Sequence, residues 1–282
     1  QVYAVIAPLI ILGGLGFGVI YNIVHAGLDR LRHLFRRKLT APGIFELHPP
    51  TRLGLQTKIV LTTSLILLLI GMGALWLFEE TLNQNPMPNG TTQAPADPCQ
   101  DSPEVLDAFF QSVTARTAGF NTVDIDRMSA PSKVTLIVLM SIGGSPGSTA
   151  GGFKTVTFAV VLMVVLASLR KRNEVELFNR SIRLVIVGGA ITVVVLYILI
   201  YIVLALALSI TERANPFTMG DVLFETASAL GTVGLSTGIT PALTPAGKLI
   251  IIAAMLIGRL GPLTLLATIT FNIKPAGYNY PD

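Results

Sequence analysis

Two short strings hold most of the chemistry this sequence can offer. Thr117-Ala118-Gly119-Phe120 and, 115 residues on, Thr232-Val233-Gly234-Leu235 each run threonine, a small or branched residue, glycine, an apolar residue. None of these side chains is an acid, a base or a soft nucleophile, so the useful ligands are main-chain oxygens. Glycine lets carbonyls turn toward a common axis without a Cβ penalty, and a ring of such carbonyls can replace the water shell of a monovalent cation. The same offset carries Phe109 onto Phe224, Lys133 onto Lys248, Met140 onto Met255, Gly143 onto Gly258 and Thr149 onto Thr264 without a gap. An internal duplication bears on the whole fold.

A second set follows the first string. Gly143, Gly144, Ser145, Pro146, Gly147, Ser148, Thr149, Ala150, Gly151 and Gly152 place five glycines and one proline in ten residues. Each glycine costs a helix about 1 kcal/mol and proline about 3, so this stretch is expected to be irregular. Irregular backbone at membrane depth survives only buried in protein or lining a watery cavity, and the polar Ser145, Ser148, Thr149 and Lys154 favour the cavity. Arg259 aligns with Gly144 and should lie at the same depth. A charge inside a span is a functional candidate, here a barrier on a cation path; the alternative is a structural arginine bonding carbonyls freed by Gly261 and Pro262. Arg116 is expected to brace the first string from behind, on carbonyls or an acid such as Asp107. Lys154 either snorkels or caps the loop.

The elements that must position these residues are membrane spans. The chain is 51% hydrophobic and 13% charged, with mean hydropathy +0.67, against about a quarter charged in soluble domains. Apolar stretches long enough to cross a bilayer are expected over 1–24, 59–78, 132–169 (broken), 182–210 and 249–271. Between 25 and 58 lie Arg30, Arg32, Arg36, Arg37, Lys38, Arg52 and Lys58, whereas 79–107 holds six acids and no lysine or arginine. The positive-inside rule then makes 25–58, 170–181 and 274–282 cytoplasmic. Sidedness leaves room for only one crossing between 107 and 170, so Pro103 to Thr122 must enter and return on one side. A helix opened by Ser102-Pro103-Glu104 and running to about Ala115 serves this, with a second opened by Asp221 and running to about Ala229. Turn glycines alone would not explain apolar segments returning to the side they left. Leu31, Leu34, Phe35 and Leu39 mark an amphipathic helix in the basic segment, suited to a cytosolic partner or to anionic headgroups.

Three histidines and a single Cys99, with no clustered intramembrane acids, leave little for enzyme chemistry. Nucleic-acid binding is disfavoured because the basic residues sit in loops between spans.

Thr232-Val233-Gly234 matches the opening of the potassium-channel filter string. With Thr114 through Thr122, Ile142 through Lys154 and Gly258 through Thr264, the chain resembles the Trk/Ktr/HKT superfamily of potassium transporters, most of all the Ktr-type membrane subunit. The resemblance implies an all-α polytopic membrane protein of span–pore helix–span repeats with re-entrant filter loops. It makes 1–24 the closing helix of an incomplete second repeat, 25–58 a linker, 59–169 and 182–273 the third and fourth repeats, and 274–282 a tail. Two filter strands do not close a fourfold ring, so a fragment of a longer subunit is expected. The resemblance further implies potassium as cargo, Thr117 to Phe120 and Thr232 to Leu235 as filter carbonyls, and Gly143 to Gly152 with Arg259 as gate. It implies a multi-pass protein of the plasma (inner) membrane, a homodimer, and a cytosolic nucleotide-binding regulatory ring. Sodium-selective or sodium- or proton-coupled cation transport, and a secondary transporter for a small solute, stay open, as does a non-conducting scaffold.

Overall fold

A computed structural model describes residues 2–39, 54–83, 105–171, 176–177 and 180–261. Among these residues the chain forms nine α-helices: α1 (Val2–Leu15), α2 (Phe17–Leu39), α3 (Leu55–Asn83), α4 (Val105–Thr114), α5 (Ala130–Ser141), α6 (Thr155–Leu169), α7 (Leu184–Thr211), α8 (Met219–Gly231) and α9 (Pro245–Leu260). Among the described residues the one sheet is a hairpin of β1 (Glu176–Leu177) and β2 (Arg180–Ser181). The fold is thus an all-α membrane protein. Leu55–Thr81 and Leu184–Thr211 are each long and apolar enough to cross a bilayer. Helices α4 and α8, of 10 and 13 residues, are too short to do so.

Residues 2–24 do not form one straight helix. The helix breaks at Gly16, and α2 leaves α1 at 98°. Gly16 has φ +74, and a Cβ there would lie 2.9 Å from the Ser148 amide nitrogen. A conformation that side chains resist, in a place with no room for one, makes glycine the break point. Helix α2 then runs on to Leu39, so the helix expected over Leu31 to Leu39 is continuous with the one that starts at the break. The side chains of Leu31, Leu34, Phe35 and Leu39, together with Ser102, Pro103, Glu104, Cys99, Thr264 and the 274–282 tail, lie outside the described residues.

Asp221 does not open α8. Thr218 is the N-cap: its hydroxyl accepts from the Asp221 N–H at 3.2 Å, and the Asp221 carboxylate accepts from the Thr218 N–H at 3.2 Å. This reciprocal capping box starts the helix two residues early. Between α5 and α6 the chain is irregular from 142 to 154. The core lies where the helices meet, with Leu75, Leu136, Met140, Phe224, Val233 and Leu235 buried together.

The 115-residue offset holds for hydrogen bonds as well as residue types. Lys133 Nζ donates to the Asp126 carbonyl at 2.9 Å, and Lys248 Nζ to the Pro241 carbonyl at 3.0 Å. Ser129 and Thr244 each cap the helix that follows. Ser129 gives its N–H (3.1 Å) and hydroxyl (2.9 Å) to Glu79, and Thr244 gives the same two groups (3.0 and 2.6 Å) to Glu212. The two glutamates stand outside the 115-residue offset, yet in both halves a carboxylate at the end of a long helix holds the start of the helix after the short one, where the helix dipole favours negative charge.

Burial acts to raise the Glu212 carboxyl, but hydrogen bonds from Thr244 and Asn215 and the nearby Lys248 charge outweigh it and hold the group below the ordinary glutamate range. A carboxyl depressed in the folded state stabilises fully above its unfolded value, about 4.3, and loses that contribution as pH falls through the lower folded value. Glu212→Gln should therefore flatten the acid limb of a melting-temperature profile in detergent and cost about 1.5–3 kcal/mol at neutral pH, the loss of a charged hydrogen-bond partner.

Candidate functional site

Each short helix delivers one of the two strings from its C-terminal end. After α4, the amides of Ala118 (3.1 Å) and Gly119 (3.3 Å) both bond the Thr114 carbonyl, and the Thr114 hydroxyl bonds the Phe120 carbonyl at 2.7 Å. After α8, the Val233 amide bonds the Ser228 carbonyl (2.9 Å) and the Gly234 amide the Ser228 hydroxyl (3.1 Å). Both helices aim the negative end of their dipoles at the strings, an environment that favours a cation.

The backbone repeats too. Thr117 has φ +73 and Gly119 +75; Thr232 has φ +52 and Gly234 +98. Positive φ at every second residue disrupts the side-to-side carbonyl alternation of a β-strand. Two β-branched threonines sit in the left-handed region, at a cost of roughly 1–2 kcal/mol each, and backbone strain of this kind concentrates at functional sites. Val233 and Leu235 are buried in the core while Gly234 is exposed. The strings also touch: a Cβ on Gly119 would collide with the Val233 carbonyl and lie 3.1 Å from the Gly234 Cα.

The glycine-rich stretch folds back on itself. The Gly143 amide donates to the Phe153 carbonyl (2.9 Å), the Phe153 amide to the Ser141 carbonyl (3.2 Å) and the Thr155 amide to the Gly144 carbonyl (3.1 Å). A Cβ on Gly143 would overlap the Gly151 carbonyl oxygen. One end of the loop is pinned at the α1–α2 break: fully buried Ser145 gives its N–H to Gly14 O (2.9 Å) and its hydroxyl to Leu15 O (2.5 Å). The other end rests on cations, with Lys154 Nζ on Ala150 O at 2.6 Å and Arg259 on the adjacent Thr149 O. Between Pro146 and Ala150 the Gly147 backbone has φ +81 in open space. Beyond them, a Cβ on Gly151 would strike the Thr232 hydroxyl and lie 2.7 Å from the Gly231 carbonyl, so the loop abuts the start of the second string.

Arg116 does not reach Asp107, whose carboxylate takes the Tyr3 hydroxyl. Its guanidinium instead bonds the Ser64 carbonyl (3.4 Å) and hydroxyl (3.1 Å) on α3. Of the two readings of Lys154, the structure has it capping the loop. Sequence reasoning missed Ser145 as an anchor, and also Gln111 and Glu225, polar residues buried in α4 and α8. A carboxylate within a short apolar helix was the available signal for Glu225.

A family model described as TrkH, cation transport protein, matches residues 1–279. The chain belongs to the TrkH family. Its relatives include the Ktr system potassium uptake protein B of Vibrio alginolyticus, 39% identical over 277 residues, which are 98% of this chain and 54% of that protein. The Bacillus subtilis (strain 168) protein of the same name is 38% identical, over 99% of this chain and 55% of its own length. The potassium/sodium uptake protein NtpJ of Enterococcus hirae is 36% identical, over 99% and 55%. The chain spans about half the length of these TrkH-family relatives. The crystal structure of the potassium transporter TrkH from Vibrio parahaemolyticus superposes with TM-score 0.64 at 18% identity, over 95% of this chain and 52% of that one, a likeness of fold.

Gly13 and Gly143 each open a Gly-Gly pair after a branched apolar residue, Leu12 and Ile142, yet a Cβ on Gly13 meets nothing within 4 Å. Gly143→Ala should lower stability by about 3 kcal/mol, the cost of overpacking. Gly13→Ala should be neutral or stabilise by up to about 1 kcal/mol. Thermal unfolding of both variants in detergent tests the contrast.

Proposed function

We propose that this chain is a membrane-embedded part of a potassium-uptake protein in which the Thr117–Phe120 and Thr232–Leu235 carbonyls form part of a selectivity filter. The observation that carries the reading is the paired left-handed backbone at Thr117 and Gly119 and at Thr232 and Gly234, in two strings at the ends of re-entrant helices. Family membership and the names of the Ktr relatives supply the cargo. Two strands line part of a carbonyl ring, and relatives about twice this length have room for more. The repeats occupy 59–169 and 182–273, with 1–24 belonging to a preceding one.

Gly143 to Gly152 is the gate beneath the filter. Arg259 and Lys154 serve two ends: they satisfy carbonyls that lipid cannot, and they put positive charge where a cation would pass. Opening requires the Thr149–Ala150 end to leave its cations while Ser145 stays fixed. The protein is placed in the plasma (inner) membrane with 25–58, 170–181 and 274–282 in the cytoplasm, as a homodimer working with a cytosolic nucleotide-binding ring. The name of NtpJ, a potassium/sodium uptake protein, favours sodium as a second cargo.

Two experiments test this with the full-length gene product in a bacterium lacking its own potassium uptake. Growth on low potassium should be restored, and Gly119→Ser or Gly234→Ser should abolish it or reduce the preference for potassium over sodium by at least about tenfold, since these positions select cations through carbonyl geometry. Restoration with both variants unchanged contradicts the filter assignment. Arg259→Gln should raise flux under conditions that keep the wild type closed; lowered or unchanged flux contradicts the gate.

A further inference from the structure

A buried carboxyl group holds the chain just after the second string. Glu225, on α8, is 4% exposed. It accepts the Ser236 hydroxyl, the Thr240 hydroxyl at 3.1 Å, and a backbone bond from Thr237. The Ser236 and Thr240 hydroxyls are 3.1 Å apart, and the Gly238 amide donates to Ser236 Oγ at 2.9 Å. One anion thus gathers the five residues that follow Leu235. In the first string the position equivalent to Ser236 is Asn121, and there the brace is neutral: Gln111 Nε2 donates to Asn121 Oδ1 at 2.9 Å, and Oδ1 also accepts the Val123 amide at 3.3 Å. The two braces come from adjacent helical positions and reach the same point on the strand with different charge.

We infer that Glu225 is a positioning residue whose carboxyl group, acting through Ser236 and Thr240, sets the spacing of the Thr232–Leu235 carbonyls and so the discrimination between potassium and sodium. The inference rests on the carbonyl-filter reading above. A carboxylate accepts several bonds at once and donates none, which suits two hydroxyls and an amide converging on one point. An amide offers these donors one accepting oxygen where the carboxylate offers two. Carbonyl geometry and field strength are what a filter selects with, so a loosened strand should lose selectivity before it loses conduction.

The test compares rubidium and sodium uptake, with KM and maximal rate separated, in the full-length protein and in Glu225→Gln, Ser236→Ala and Thr240→Val. Glu225→Gln should reduce the rubidium-over-sodium preference about tenfold, the scale of one lost charge-assisted bond, chiefly through a higher KM for rubidium. Ser236→Ala should move the ratio in the same direction and add little on top of Glu225→Gln. If Glu225→Gln fails to reach the membrane, Ser236→Ala and Thr240→Val decide the matter, because they leave the buried charge in place. Wild-type ratios in the variants that fold overturn the inference and leave the filter standing. Absence of rubidium uptake by the unaltered protein overturns the filter reading itself.

Discussion

Everything in this fold answers to one constraint: main-chain N–H and C=O groups that leave a helix inside a membrane have no water to bond. The chain leaves helical geometry at Gly16, at Thr117, through 142–154, and at Thr232. At Thr117 and Thr232 the freed groups bond the last turn of the preceding helix, while the Gly16 break and the glycine-rich loop also draw on distant residues. Carbonyls at the Gly16 break take the N–H and hydroxyl of Ser145, 130 residues away. Carbonyls at Thr149 and Ala150 take a guanidinium and an ammonium. The Gly16 break and the glycine-rich loop thus settle part of each other's hydrogen bonding.

That mutual dependence gives the glycine-rich loop unlike parts. Its N-terminal half is locked by steric contact as much as by hydrogen bonds, since neither Gly143 nor Gly144 has room for a Cβ. In its later half Gly151 and Gly152 are equally confined, and the exposed turn between them and Pro146 is held by two like-charged side chains on neighbouring carbonyls. A bond to a charged group is strong but its partners are exchangeable, and carbonyls can trade a lysine or arginine for water when a path wets. The same loop presses at Gly151 against Thr232, so displacement of the loop and the conformation of the second string are mechanically linked.

The sequence made the strings themselves legible, because glycine spacing and a period of 115 residues survive in one dimension. The matching Lys133 and Lys248 bonds were foreshadowed by residue identity alone. What it did not reveal is which neighbour each group meets. Gly13, Gly14 and Gly16 look equivalent as letters, and only Gly16 lies against Ser148 with positive φ. Arg116 was free to choose among carbonyls and acids, and the α3 residue Ser64 was invisible as a partner because contact across 52 positions leaves no local trace. Asp221 looked like a helix start because a first-turn acid and an N-cap attract the same residue types; Thr218 three positions earlier resolves the two.

The central claim is that peptide oxygens of the two strings hold a dehydrated potassium-sized ion. Anomalous diffraction from crystals of the full-length protein grown in rubidium measures this directly. The account predicts density within about 3 Å of the carbonyl oxygens of Thr117 to Phe120 and of Thr232 to Leu235. Rubidium bound elsewhere in a transport-competent protein, with these oxygens facing only protein, would contradict it.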